Sequence, residues 1–194
     1  MLWSSTSSIQ IVFDISVGVI VSLFIYVLVI WIPDQRKRSR IRRNLTYQYD
    51  AFKEACVQIF FSALKQPYDS ELVGRLKDRS FFRQYFKEQV SGDQNRWDVV
   101  LNGLNKSLVK ELVLELEILR TEVNYALTVI DIDDQESFAF LKQLTQILYR
   151  SRNWTNDYDD IKELSRFMWS VHTGWSWAQG YTEKDIIAEM ISKI

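Results

Sequence analysis

From residue 9 to residue 32 the chain is apolar almost without a break, interrupted by Gln10, Asp14 and small or weakly polar residues. Residues 15–32 carry no charge. At about 1.5 Å per residue, a helix over this stretch spans roughly 36 Å, enough to cross a hydrocarbon core of about 30 Å with some tilt. Trp3, Tyr26 and Trp31 lie toward its ends, where amphipathic rings prefer the interface. Pro33 is expected to end or kink the helix. No Lys or Arg precedes the run and no small-residue cleavage motif follows it, so an uncleaved anchor is expected instead of a signal peptide.

Beyond residue 34 the apolar positions recur with helical spacing. Leu45, Tyr49, Phe52, Cys56, Ile59 and Ala63 mark one face of a helix from about residue 40 to 66, which Pro67 stops. Asp69 or Ser70 caps a short helix with Leu72, Val73 and Leu76, and Ser80 caps another with Phe81, Phe82, Tyr85 and Phe86. The Ser-Gly-Asp-Gln-Asn run at 91–95 reads as a loop. Trp97, Leu101, Leu104, Leu108, Leu112, Leu116, Leu119, Val123, Ala126 and Ile130 then form one long heptad-like seam with a stutter at Leu108, Leu112 and Leu116. Gly103 weakens its start. Three shorter helices carry Phe138, Leu141, Leu144 and Leu148; Ile161, Leu164, Met168 and Val171; and Ile186, Ile187, Met190 and Ile191, the last behind a Thr182-x-x-Asp185 cap.

The expected fold is therefore all-α: one N-terminal transmembrane helix followed by a cytoplasmic bundle of about six or seven helices. The divisions are a short extracytoplasmic N-terminus at 1–8, the transmembrane helix at 9–32, a basic juxtamembrane segment at 33–43 and the helical domain at 44–194. One Cys in 194 residues excludes an internal disulfide, and six Gly with two Pro exclude collagen-like or linker-rich chains. The near-zero total charge hides an uneven distribution. Arg36, Lys37, Arg38, Arg40, Arg42 and Arg43 form a collar directly after the apolar run, whereas residues 44–194 hold 18 basic and 23 acidic side chains, a net charge of −5.

The collar orients the anchor with its N-terminus outside and the bundle in the cytoplasm, the inner membrane in a bacterium. It also suits anionic lipid headgroups, each residue contributing about 1 kcal/mol near the surface. Asn44, Asn105 and Asn153 stand two before Thr46, Ser107 and Thr155 as glycosylation triplets, a signal of opposite orientation that the charge rule outweighs. Asp14, Gly18, Ser22 and Tyr26 are spaced four apart and share one face of the membrane helix. Small residues there allow close approach of another helix, and polar ones supply hydrogen bonds between helices.

Candidate chemistry is sparse. A single histidine and a single cysteine exclude multi-His metal sites and most zinc sites. Cys56 falls on the apolar face, where an inert buried thiol is expected. The clusters Asp131, Asp133, Asp134, Glu136 and Asn156, Asp157, Asp159, Asp160 lack the ligand order of a calcium loop and precede helices, whose N-terminal dipoles their acids complement. No cofactor is expected.

Arg166 and His172 bracket five residues near a helix end, and this spacing resembles the Arg-x4–6-His pattern of the all-helical HEPN ribonucleases. The resemblance implies RNA cleavage, with His172 as general acid or base and Arg166 stabilising phosphate charge. The favoured reading of the pair is a solvated arginine and a histidine cation stabilised by the helix C-terminal dipole. Four of seven Trp fall within residues 154–177; Trp169, Trp175, Trp177 and Tyr181, with Gly174 and Gly180 between two helices, make a candidate interface.

Three functional classes follow. The favoured one is a single-pass membrane-anchored interaction or regulatory module, an oligomerising effector or accessory subunit of the kind found in bacterial stress or phage-defence systems. The second is a HEPN-like membrane-tethered ribonuclease using Arg166 and His172. The third is a membrane-perturbing effector that assembles through its transmembrane helix. Expected partners are the lipid bilayer and a protein or second copy; nucleic acid is disfavoured because the collar lacks interleaved base-stacking aromatics.

Overall fold

The computed structural model describes residues 3–176, 180–182 and 184–194, with side chains from residue 13 onward except those of 91, 175 and 176. The fold is all-α with two very short hairpins, and the chain divides into two compact units, residues 1–41 and 42–194.

In the first unit, α1 (Trp3–Tyr26) passes into a single π-helical segment (Val27–Trp31) and then into α2 (Ile32–Leu64). Pro33 thus neither ends the helix nor starts a linker. Its missing N–H and its ring, which would strike the carbonyl four residues back, are accommodated by widening the preceding turn, where the Ile32 N–H bonds the Val27 carbonyl. A helical stretch from Phe13 to Leu64 is apolar and long enough over its N-terminal part to cross a membrane, by length and composition. Its apolar side chains lie open on all sides, among them Phe13 at 65%, Phe24 at 66% and Val29 at 66% exposure.

In the second unit, Leu45, Tyr49, Phe52, Cys56, Ile59 and Ala63 of α2 are all buried. The helix closes at Lys65, which takes a left-handed backbone (φ 55°) just before Pro67. Next come α3 (Ser70–Arg75), capped by the Asp69 carboxylate, and α4 (Arg79–Lys87). Asp78, not Ser80, caps α4: its carboxylate accepts the Phe81 N–H at 2.8 Å, and the Ser80 hydroxyl donates to the same oxygen. The 91–95 loop is the tip of a hairpin, β1 (Gln89–Ser91) against β2 (Gln94–Asn95).

The long seam is two helices, α5 (Arg96–Gly103) and α6 (Lys106–Val129). Asn105, read above as part of a glycosylation triplet, accepts the Ser107 and Leu108 N–H groups and starts α6. At Gly103 a Cβ would sit 2.2 Å from the Ala63 carbonyl oxygen, so the chain turns where α5 meets α2 backbone to backbone. The Asn44 amide donates to Glu122 at 3.1 Å, and with the Ala63–Gly103 contact this sets α2 and α6 antiparallel. Leu108, Leu112, Leu116, Leu119, Val123 and Ala126 remain the buried side of α6.

Helix α7 (Gln135–Arg150) buries Leu141, Leu144 and Leu148, and a 3-10 turn (Ser151–Asn153) follows it. Helix α8 (Tyr158–Thr173) buries Leu164, Met168 and Val171. A hairpin of β3 (Trp175–Ser176) and β4 (Gly180–Tyr181) leads to α9 (Ile186–Ser192), with Ile187, Met190 and Ile191 inside. Asp185, not Thr182, caps α9. Phe138 (44% exposed) and Ile186 (36%) lie outside the core, on the outer side of first turns whose Ser137 and Ile187 are buried.

Candidate functional site

Helix α4 is sharply two-sided. Phe82 and Phe86 are fully buried, while Ser80, Arg83, Gln84 and Lys87 recur at three-and-four spacing on the outer side. The inner side joins an aromatic cluster with Phe60 of α2, Trp97 of α5, and Trp169 and His172 of α8. A tilted Phe82–Trp169 pair and a stacked Phe82–His172 pair hold α4 against α8. In particular, the His172 ring lies nearly parallel to Phe82 at 4.7 Å and 13°, and edge-on to Phe60 at 5.6 Å.

His172 is accordingly 3% exposed, with no hydrogen-bond partner for Nε2. Burial, and secondarily the Lys53 charge, push its pKa down to about 3. The ring is neutral, and this corrects the reading of a charged histidine at a helix end: the last turn of α8 points it into the core. Arg166 is exposed on the same helix and lines a different cleft with Lys162, Ser165 and Asn102. The two side chains of the Arg-x5-His pair therefore face apart, and the fold does not bring them to one phosphate.

At the C-terminus of α8 the chain reverses through Gly174 (φ 66°), where a Cβ would meet Arg79 at 2.7 Å and the Thr182 carbonyl at 2.8 Å. The Thr182 N–H and hydroxyl both donate to the Gly174 carbonyl at 3.0 Å. This closed turn sets Tyr181 over α4. The Trp169 Nε1–H donates to the Tyr181 hydroxyl at 3.3 Å, and the Arg83 guanidinium and Lys87 ammonium lie 4.5 and 4.9 Å from the ring centre. Burial alone would raise the Tyr181 phenol. The hydrogen bonds from Lys87 and Trp169, with the charges of Lys87 and Arg83, outweigh it and lower the pKa from its ordinary value.

Asp185 secures the floor of this region. It accepts the Tyr49 hydroxyl at 2.9 Å, lies 3.4 Å from Lys53 Nζ and 3.5 Å from Arg79, and caps α9 through the Ala188 N–H at 3.0 Å. Burial first, then the Asp185 charge, hold the Tyr49 phenol well above its usual range, so it stays a donor. Above this floor opens a cleft of about 560 Å³ lined by Lys77, Ser80, Arg83, Thr173, Tyr181 and Thr182 among others. A neighbouring cleft shares Ser80 and Arg83 and adds Gln84, Lys87 and Glu88.

Of the candidate interface residues, Trp169 and Tyr181 are brought together. The Trp175 backbone pairs with that of Tyr181. The Trp175 side chain and Trp177 lie outside the described residues. Asp14, Gly18, Ser22 and Tyr26 are exposed along α1, and a Cβ at Gly18 would meet nothing within 4 Å. In the collar, Arg36, Lys37, Arg40, Arg42 and Arg43 are exposed, while Arg38 pairs with Asp34 at 2.9 Å. Asp134 caps α7 through the Ser137 N–H, and Asp159 and Asp160 stand in the first turn of α8. Among the described residues, no group of three or more His, Cys, Asp or Glu is placed to hold a metal.

Sequence reasoning read Ser80 only as a cap and overlooked Arg83, Gln84 and Lys87. Their spacing on a helix with Phe82 and Phe86 behind them was a readable signal; their meeting with Tyr181 was not. No protein-family model matches the chain, no curated protein matches it, and no solved structure matches it. Function has to be read from the chain's own surfaces.

Proposed function

We propose that this protein is a single-pass membrane-anchored helical module that works through protein contacts, with its N-terminus outside and residues 44–194 in the cytoplasm. The observation that carries this reading is the bare apolar surface of residues 13–31, where Phe13, Ile15, Ile20, Phe24, Leu28 and Val29 are each more than half exposed. Water disfavours such a surface by about 25 cal/mol per Å² of apolar area, and a bilayer relieves that cost along the whole helix. The exposed cations Arg36, Lys37, Arg40, Arg42 and Arg43 follow immediately, as the positive-inside bias requires of a cytoplasmic flank.

A contact role is supported by the fate of the reactive side chains. The single histidine and the single cysteine are both buried, with His172 neutral and the Cys56 thiol pushed well above its usual pKa by burial and the Glu115 charge. Neither serves acid–base or nucleophilic chemistry at a surface. The open face of Asp14, Gly18, Ser22 and Tyr26 gives the anchor a surface for pairing with a second helix.

Alkaline carbonate extraction of cells expressing the full chain, with a fluorescent reporter at its C-terminus, tests the proposal. The protein is expected to stay in the membrane pellet, with the reporter fluorescent and accessible from the cytoplasm. Release into the carbonate supernatant, or a reporter on the outer side, would overturn it.

A further inference from the structure

We propose that the groove along the outer side of α4 binds a phosphate monoester, with Arg83 and Lys87 meeting its charge and the Tyr181 hydroxyl donating a hydrogen bond. Most charges around the two clefts are already paired. Lys77 pairs with Glu54 at 2.8 Å, Arg79 with Asp185 at 3.5 Å, and Glu88 with Arg96. Asp78 is committed to the cap of α4 and to the Ser80 hydroxyl. That leaves Arg83 and Lys87, which among the described residues have no carboxylate partner and which meet Tyr181, Arg83 over its ring and Lys87 over the ring and at the hydroxyl.

Stacking over an aromatic ring uses the face of a guanidinium and leaves the N–H donors in its plane available. The stack therefore holds Arg83 in one orientation without consuming its hydrogen bonds. The Tyr181 oxygen already accepts from Trp169, so its own proton is directed outward, and the lowered phenol pKa marks a positive potential at this spot. Two cations 4.5 and 4.9 Å from the Tyr181 ring centre, beside an outward phenol proton, suit a compact dianion better than a single carboxylate.

Size and surrounding charge narrow the ligand. The cleft that Arg83 and Tyr181 line, about 560 Å³, is in the range of small-molecule sites, and Lys87 lines the neighbouring cleft that shares Arg83. Residues 44–194 carry a net charge of −5, which repels a long polyanion but leaves a local two-cation groove able to hold one phosphate group. A free phosphate ester and the headgroup of a phosphoinositide present the same chemistry. The inference goes beyond membrane anchorage and does not depend on it.

The test is calorimetric titration of the full chain in neutral maltoside micelles, at constant ionic strength, with inorganic phosphate, inositol trisphosphate and acetate. Saturable binding of phosphate is expected, weakened about tenfold or more by Arg83→Glu or Lys87→Glu and unchanged by Lys110→Glu on the exposed side of α6. A second readout needs no change to the cations: saturation with phosphate should raise the pH at which the phenolate absorption band appears, and Tyr181→Phe should abolish that shift. Inositol trisphosphate binding about tenfold tighter than phosphate assigns a lipid-headgroup source, and equal affinity a free ester. Absence of saturation by either phosphate probe, equal affinity in Arg83→Glu and the parent chain with an unmoved phenolate band, or acetate binding as tightly as phosphate would each overturn the assignment.

Discussion

Replacing His172 by Phe should remove most of the loss of stability that this protein suffers in mild acid. In the folded chain the imidazole is held neutral, with its pKa pushed down to about 3 by burial and by Lys53. Unfolded, it titrates near 6.5. As pH falls below about 6.5 the unfolded chain takes up a proton that the folded chain refuses, so stability is complete above that pH, declines through the window and levels off below about 3. Each pH unit is worth about 1.36 kcal/mol, so the drop from pH 7 to pH 5 amounts to about 2 kcal/mol.

Other groups that respond to acid act lower or in the opposite sense. Ser80 and the Phe81 amide hold the Asp78 carboxyl below its usual range, Arg120 does so for Glu117, and Ser137 for Asp134, so their contribution fades only as pH falls past the ordinary carboxylate range. Glu115 is raised by desolvation and works against the histidine slope. Phenylalanine keeps the parallel stack on Phe82 and removes the unsatisfied Nε2. Urea unfolding of the full chain in neutral micelles, followed by tryptophan fluorescence from pH 7 to pH 5, should show a falling midpoint for the parent and a nearly flat one for His172→Phe. Parallel slopes in the two proteins would mean that the folded core admits the proton, and the buried neutral ring would be wrong.

Gly103→Val should cost about 1–3 kcal/mol or more, because its Cβ would lie 2.2 Å from the Ala63 carbonyl oxygen. Gly74→Ala, with open space around the new methyl group inside α3, should instead raise the urea midpoint slightly. Asp185→Asn removes the charge that Lys53 and Arg79 face and should cost about 2 kcal/mol, read in the same unfolding experiment; an unchanged midpoint would show the network to be energetically idle. Cys56 is fully buried with a raised thiol pKa, so maleimide labelling of the native chain should be negligible until urea reaches the unfolding transition, and prompt labelling would contradict its placement.

Periodicity reports which side of a helix is buried, and here it did so well: the α2 face from Leu45 to Ala63 and the α6 seam from Leu108 to Ala126 lie in the core as their spacing requires. It says less about continuity. Trp97 to Ile130 keeps helical spacing across a real break because α5 and α6 both turn apolar residues toward the same interior, while the break is encoded by a glycine at a close backbone approach and an asparagine cap. Pro33 shows the converse, since one widened turn absorbs the residue that should have broken the helix.

The groove was half legible for a related reason. Ser80, Arg83, Gln84 and Lys87 declare a polar face through local spacing alone, but a solvated polar face and a binding surface have the same local pattern. What separates them is the set of groups brought in from elsewhere. Tyr181 arrives from nearly a hundred residues away through a turn that needs glycine at 174, and among the described residues Asp185, Glu88 and Asp78 beside the groove are occupied with Arg79, Arg96 and the α4 cap. His172 follows the same logic: its place in the last turn of α8 suggested a solvated cation, and Phe60 and Phe82, supplied by other helices, made it a neutral member of the core. In an all-helical chain, then, the sequence speaks for faces, and the chemistry of a face is decided by whichever distant side chains the bundle seats against it.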